Sequence, residues 1–219
     1  GIGFHTRELI DHLRNIKELD FDVVDFSSAD LSKYDIVHYQ YFHPYFLTLP
    51  FTKPAKKVIL TLHDLIRLVL PEGYPAGIKG SVRFLLQKYN LRHVDAVITI
   101  SETSKKDIVR FLGIDPKKIH VIYLAPQGVK AQVTNSKLAE VKKKYKLPEK
   151  FVLYVGDVNY NKNLLRLARA CKIAKIALVI VGKQAASNEV DNNAENIEWH
   201  RFLNKYKNDR NIIRLGFLE

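Results

Sequence analysis

The sequence predicts an α/β chain of two doubly wound, Rossmann-like domains, the first apparently lacking its opening strand and the second incomplete. Three observations carry this expectation. Short apolar runs rich in β-branched residues recur along the 219 residues, separated by helical or turn-forming stretches, and strands buried on both faces of a parallel sheet read this way. The alternation lapses over residues 125–136, where Pro126, Gly128, Thr134 and Asn135 replace it, and then restarts. Finally, the chain exceeds the usual single-domain size and can bury a real core in each half. The expected domains are residues 1–127 and 128–219.

Taken in order, Gly1 and Gly3 open a helical segment over 5–19, with Leu9, Ile10, Leu13 and Ile16 at helical spacing. A glycine pair opening a helix usually follows a strand, which would precede residue 1. The runs FDVV (21–24), IVHY (36–39), VILTL (58–62) and AVITI (96–100) read as strands. Residues 79–94 form the clearest helix. Val82, Leu85, Leu86, Tyr89 and Val94 lie near one face and Lys79, Arg83, Lys88 and Arg92 dot the rest. A core stripe is the expected reading, with a membrane-surface or acceptor-facing helix as the rarer one. Ser101 is placed to cap a helix over 105–112, Gly113 closes it, and a strand over 119–123 follows. After the lapse come a basic helix (136–145), a strand (151–155), a helix (162–173), a strand (176–181) stopped by Gly182, and a last apolar segment (211–216).

Hydrophobic residues at 47% and charged residues at 26% are ordinary for a folded globular protein and argue against disorder. The net charge of +12 is unevenly placed. Residues 1–127 hold 17 Lys/Arg against 14 Asp/Glu, and residues 128–219 hold 18 against 9, so the second half carries most of the positive field. Such a field suits phosphate-bearing partners or anionic lipid. No basic and aromatic interleaving of a nucleic-acid module is visible, so no nucleic-acid partner is expected. The single cysteine, Cys171, excludes an intrachain disulfide and reads as a buried side chain in a reducing compartment. No apolar run approaches the roughly 20 residues that span a bilayer, and a cytoplasmic protein, in possible peripheral contact with the inner membrane face, is expected. The absence of methionine and the start at Gly1 read as a partial chain.

In open parallel sheets, ligands bind beyond the carboxyl ends of the strands. That rule selects His63 and Asp64, Ser101, Gly156 and Asp157 with Lys162, and Lys183, together with the Gly1–Gly3 turn. Small residues at Gly1 and Gly3 permit close backbone approach by an anion, and tight packing is the equal alternative. His63 follows an uninterrupted strand, where its imidazole is either structural or a proton-handling group. Asp64 is a candidate cap. Lys162 runs against the preference for acids in a helix's first turn, so either it is simply solvated or it is kept for an anionic ligand. His38 and His43, in HYQYFHPY, read as structural or acceptor-lining rather than metal-binding.

The segments GIGFHTRELI, TLHDLIRLVLPEGYP, DAVITISETSKKDIVRFLGIDPKKIHVIYLAP, FVLYVGDVNYNKNLLRL, ALVIVGK and NIIRLGFLE occur in the order seen in family 4 (group 1) glycosyltransferases of the GT-B fold, which the chain resembles over nearly its whole length. The resemblance implies retaining transfer of a sugar from a nucleotide-diphosphate donor to a glycan or lipid-linked acceptor. It implies an acceptor-side first domain, a donor-binding second domain, and neither cofactor nor metal. Gly1 and Gly3 resemble the loop facing the donor phosphates, His63 the histidine at the reacting sugar, and Lys162 the cation that neutralises the diphosphate leaving group. Asp157 stands where the family often has an arginine. The family's paired donor-site glutamates would lie beyond Gly216 and Phe217, so the chain as written is not expected to be an efficient transferase. A nucleotide-sugar 2-epimerase of the same fold and a non-catalytic two-lobed nucleotide- or sugar-binding protein are the alternatives.

Overall fold

A computed structural model describes residues 2–125 and 133–218. The chain divides into two compact units, Gly1–Val69 with Ala76–Ala125, and Leu70–Pro75 with Pro126–Glu219. The expected boundary at 127/128 lies outside the described residues. Both units are α/β with parallel sheets, as the apolar runs predict.

Unit 1 opens with α1 (Ile2–Leu13), then β1 (Ile36–Tyr39), β2 (Lys57–Thr61), α2 (Ile66–Val69), α3 (Gly77–Asn90), β3 (Ala96–Thr99), α4 (Glu102–Leu112) and β4 (Ile119–Val121). The four strands lie side by side in chain order, with Val37 opposite Val58, Leu60 opposite Val97 and Val97 opposite Ile119. Leu60 and Val97 are buried in one cluster with Ile108 and Leu112 of α4, each fully buried side chain stabilising by about 1.5–3 kcal/mol. The predicted cap of α4 is present. The backbone N–H of Ser104 donates to Ser101 Oγ at 3.0 Å, and Gly113 closes the helix in the left-handed region.

Three expectations for this unit are corrected. The first helix stops at Leu13 rather than running to residue 19. The amide of Asn15 donates to the Asp11 carbonyl, and the chain tightens into i→i+3 turns at Asn15, Ile16 and Leu19. The run 21–24 is not a strand: Val23 and Val24 are exposed, no strand among the described residues pairs with them, and the flanking Asp20, Asp22 and Asp25 disfavour extended pairing. The third correction concerns α3, whose apolar stripe is not a core stripe. Val82, Leu85, Leu86 and Tyr89 are exposed, whereas Gly80, Gln87 and Asn90 face inward and only Val94, beyond the helix, is buried as expected. Gln87 accepts from the backbone N–H of Leu49 (3.3 Å) and donates to the His43 carbonyl (3.0 Å) and Thr48 Oγ1 (2.6 Å). Asn90 donates to the Leu49 carbonyl at 2.9 Å. Turning the helix to bury its leucines would orphan these backbone groups at about 1–3 kcal/mol each.

Unit 2 contains α5 (Asn135–Lys144), β5 (Phe151–Val155), α6 (Leu164–Ile173), β6 (Ala177–Val181), α7 (Ile197–Tyr206) and β7 (Ile212–Leu215), with sheet order β5-β6-β7. Its core joins Leu178 and Ile180 of the central strand to Leu164, Ala168 and Cys171 of α6 and to Trp199, Phe202, Leu203 and Tyr206 of α7. α7 lies within 183–210, a stretch for which no element is expected above, although its four buried aromatic and aliphatic positions have the spacing of one helix face. Burial raises the Cys171 thiol pKa, as suits an inert packed side chain.

Candidate functional site

Because every strand pair is parallel, the carboxyl ends of each sheet share one edge, where connecting loops and helix starts gather.

In unit 1 that edge carries His63, just past β2. Its backbone is anchored, since Leu62 N–H donates to the Ile98 carbonyl (2.8 Å) and Ser104 Oγ–H donates to the His63 carbonyl (2.8 Å). Ser101 in turn donates to Ser104 Oγ at 3.0 Å, so this residue serves as cap and as support for the His63 backbone. Asp64 accepts from the backbone N–H of Ile66 at 3.1 Å, holding the turn into α2. The His63 ring meets the His5 ring of α1 edge to face, centroids 4.8 Å apart. His63 Nε2 and His5 Nδ1 are both buried with no hydrogen-bond partner among the described residues. Burial lowers the His63 pKa, the neighbouring His5 lowers it further and Asp64 opposes, so the neutral imidazole is favoured.

His38 belongs to the same edge but is fully engaged. Gln40 donates to its Nδ1 at 3.0 Å, leaving Nε2–H to donate to Thr61 Oγ1 at 2.8 Å. Desolvation, then the charge of His5, pulls its pKa down to about 4. His43 is buried, accepts from the Tyr45 N–H at 3.0 Å and packs 4.5 Å from Phe46; desolvation and Arg67 bring it to about 4. Gly3 lies in the first turn of α1, and a Cβ there would meet nothing within 4 Å, so packing does not demand glycine. Gly1 lies outside the described residues.

In unit 2 the edge is built around two glycines. Gly156 ends β5 at φ +147°, which favours glycine, and a Cβ on Gly182 would stand 2.3 Å from the Gly156 carbonyl oxygen. Tyr154 Oη–H then donates to the Asp157 carbonyl (2.5 Å), Val158 is buried, and a 3-10 turn over Tyr160–Lys162 follows. The helix starts at Leu164, after Asn163 in the left-handed region, so Lys162 ends the 3-10 turn two residues before α6 instead of opening the helix. Tyr74 Oη–H donates to Asn161 Oδ1 at 2.7 Å and its ring packs edge-on to Tyr160, steadying the turn that carries the lysine. Lys162, Asp157 and Lys183 are exposed, and Val158 N–H reaches Gln184 Oε1 at 3.4 Å, tying the loops after β5 and β6 together.

The site residues thus fall into two groups. His63, Asp64 and Ser101 share the edge of unit 1, and Gly156, Asp157, Lys162 and Lys183 share that of unit 2. Sequence reasoning missed His5 and Tyr74, because each acts through a contact distant in sequence. Among the described residues no cluster of three or more His, Cys, Asp or Glu could hold a metal ion, and no helix is long and apolar enough to cross a membrane.

A sequence model of Glycosyltransferase Family 4 matches residues 1–125. Two Escherichia coli proteins, each described as serotype-specific mannosyltransferase WbdA, are 26% identical over 129 residues, which is 58% of this chain and 16% or 15% of theirs. Among solved structures, Anabaena Alr3699/HepE in complex with UDP-glucose aligns with a TM-score of 0.51 at 16% identity, over 74% of this chain and 42% of that one. A glycosyltransferase from Rickettsia africae ESF-5 aligns at 0.42 with 18% identity, over 74% and 41%. The chain therefore spans less than half the length of these relatives, and the Anabaena likeness speaks for the fold alone. With the family match covering more than half its residues, the chain belongs to Glycosyltransferase Family 4.

Proposed function

We propose that the protein transfers a sugar from a nucleotide-diphosphate donor, with retention of anomeric configuration, to a glycan or lipid-linked acceptor, without metal or cofactor. The observation that carries this reading is the pair of orphaned buried nitrogens, His63 Nε2 and His5 Nδ1, at the carboxyl edge of a parallel sheet. An unmade buried hydrogen bond costs about 1–3 kcal/mol, and a hydroxyl of a bound sugar would supply the missing partner. In this reading His63 touches the donor sugar and steadies the charge that develops at its reacting carbon. Lys162, exposed in the loop between β5 and α6 in the more basic half of the chain, neutralises the departing diphosphate. Gly1 and Gly3 allow the phosphates close to the start of α1, and the open space around Gly3 is in keeping with that use. The relatives, among them a mannosyltransferase and a protein in complex with UDP-glucose, agree with this substrate class.

The test is calorimetric titration of the full-length protein with UDP and GDP. Lys162→Ala is expected to weaken nucleoside-diphosphate binding by about 1.5–3 kcal/mol, the range for a charge-assisted hydrogen bond. His63→Ala is expected to lower turnover while leaving diphosphate affinity near wild type. Unchanged affinity in Lys162→Ala removes the lysine from the donor site, and an unchanged rate in His63→Ala returns that histidine to a structural role.

A further inference from the structure

The helix α3 is inside out relative to its own sequence. At about 3.6 residues per turn, Ile78, Val82, Leu85, Leu86 and Tyr89 form one stripe, and Gln87 lies on the opposite side. Ile78 is 87% exposed, Leu85 66% and Tyr89 57%, whereas Gln87 is fully buried. This orientation is locked: the Gln87 and Asn90 amides satisfy the backbone at His43 and Leu49, and Gly80 lies close against Tyr45. A contiguous apolar stripe held outward by a polar inner face is an interaction surface.

Charge identifies the occupant. Residues 73–94 contain no acidic side chain, and Lys79, Arg83, Lys88 and Arg92 are all exposed there. Lys79 and Lys88 fall on the two flanks of the stripe by helical position, and the Arg92 guanidinium stacks on the Tyr89 ring at 3.4 Å. An apolar stripe with basic flanks and an interfacial tyrosine matches the boundary between acyl chains and anionic headgroups. We infer that α3 lies in the surface of an anionic membrane, its stripe among the acyl chains and its lysines at lipid phosphates. This goes beyond the transfer reaction and is independent of it, because it rests on α3 alone. A protein held this way would meet a lipid-linked acceptor where that acceptor resides.

The test is co-sedimentation of the full-length protein with vesicles of phosphatidylcholine alone or with ~30 mol % phosphatidylglycerol. Binding to the anionic vesicles is expected to be at least ~10-fold stronger, and Leu85→Glu or Val82→Glu to lower it at least ~10-fold without moving the thermal midpoint, since both side chains are already exposed. A Lys79→Glu/Lys88→Glu double variant, which leaves the stripe intact, is expected to lose the preference for anionic lipid. Failure of the wild type to bind, equal binding to both vesicles, or full binding by all three variants overturns the inference. So does a dimer in light scattering that Leu85→Glu abolishes while vesicles stay unbound, which would make a second copy the occupant. None of these outcomes touches the diphosphate titration of Lys162→Ala.

Discussion

His38 and His43 are histidines that folding keeps neutral, and their cost becomes visible in acid. Their folded pKa values of about 4 lie below the 6.5 of an unperturbed imidazole, so between those values the unfolded chain binds more protons than the native one. Their contribution to stability is therefore fully present above pH 6.5 and is lost as the pH falls toward 4, at up to about 1.4 kcal/mol per pH unit for each. Thermal scans from pH 7 to 4.5 are expected to show a falling midpoint, and His38→Gln, which can keep a donor toward Thr61, to flatten part of that slope. A slope unchanged by the substitution would remove His38 as its source. His38 and His63 differ in one respect that matters here: both ring nitrogens of His38 are engaged, whereas Nε2 of His63 has no partner among the described residues. The strand-end rule selects His63 and leaves His38, inside β1, as a structural or acceptor-lining residue. Their surroundings differ as well: Thr61 of β2 and Gln40 hold the His38 ring, whereas the His63 ring faces His5 of α1.

At the scale of elements, the two glycines closing β5 and β6 are set by packing of backbone on backbone. A methyl group at Gly182 would stand 2.3 Å from the Gly156 carbonyl oxygen, and neither strand end has a flexible side chain to yield. Gly182→Ala is expected to destabilise unit 2 by about 1–3 kcal/mol, the ordinary cost of overpacking. Urea unfolding followed by the fluorescence of Trp199, the only tryptophan, would measure it, and an unshifted midpoint would mean that the strand ends are free to separate. The helices teach a different lesson. In α4 the apolar positions Ile108 and Leu112, four residues apart, form part of the buried face. In α3 the same periodicity pointed outward, because the loop at 41–51 presents backbone groups that only amides can satisfy.

For the whole molecule, the charge imbalance is a property of the chain that survives folding: 18 basic against 9 acidic residues after residue 127 create a field that attracts diphosphates over a range set by salt. Raising ionic strength from about 0.05 to 0.5 M, which shortens the screening length several-fold, is expected to weaken UDP binding while leaving uridine binding nearly unchanged. Salt-insensitive UDP binding would show that the field plays no part. The sequence by itself determined the parallel α/β architecture, because β-branched runs alternating with helical stretches have few other ways to bury their apolar surface. It also determined which residues follow strands, and hence the candidates His63, Asp157 and Lys162. It could not determine that 21–24 stays unpaired, that α7 completes the core of unit 2, that His5 faces His63, or that α3 turns its leucines to solvent. Those outcomes depend on hydrogen bonds and packing between segments far apart in the chain, and only the tertiary structure decides which buried polar groups find partners and which are left open.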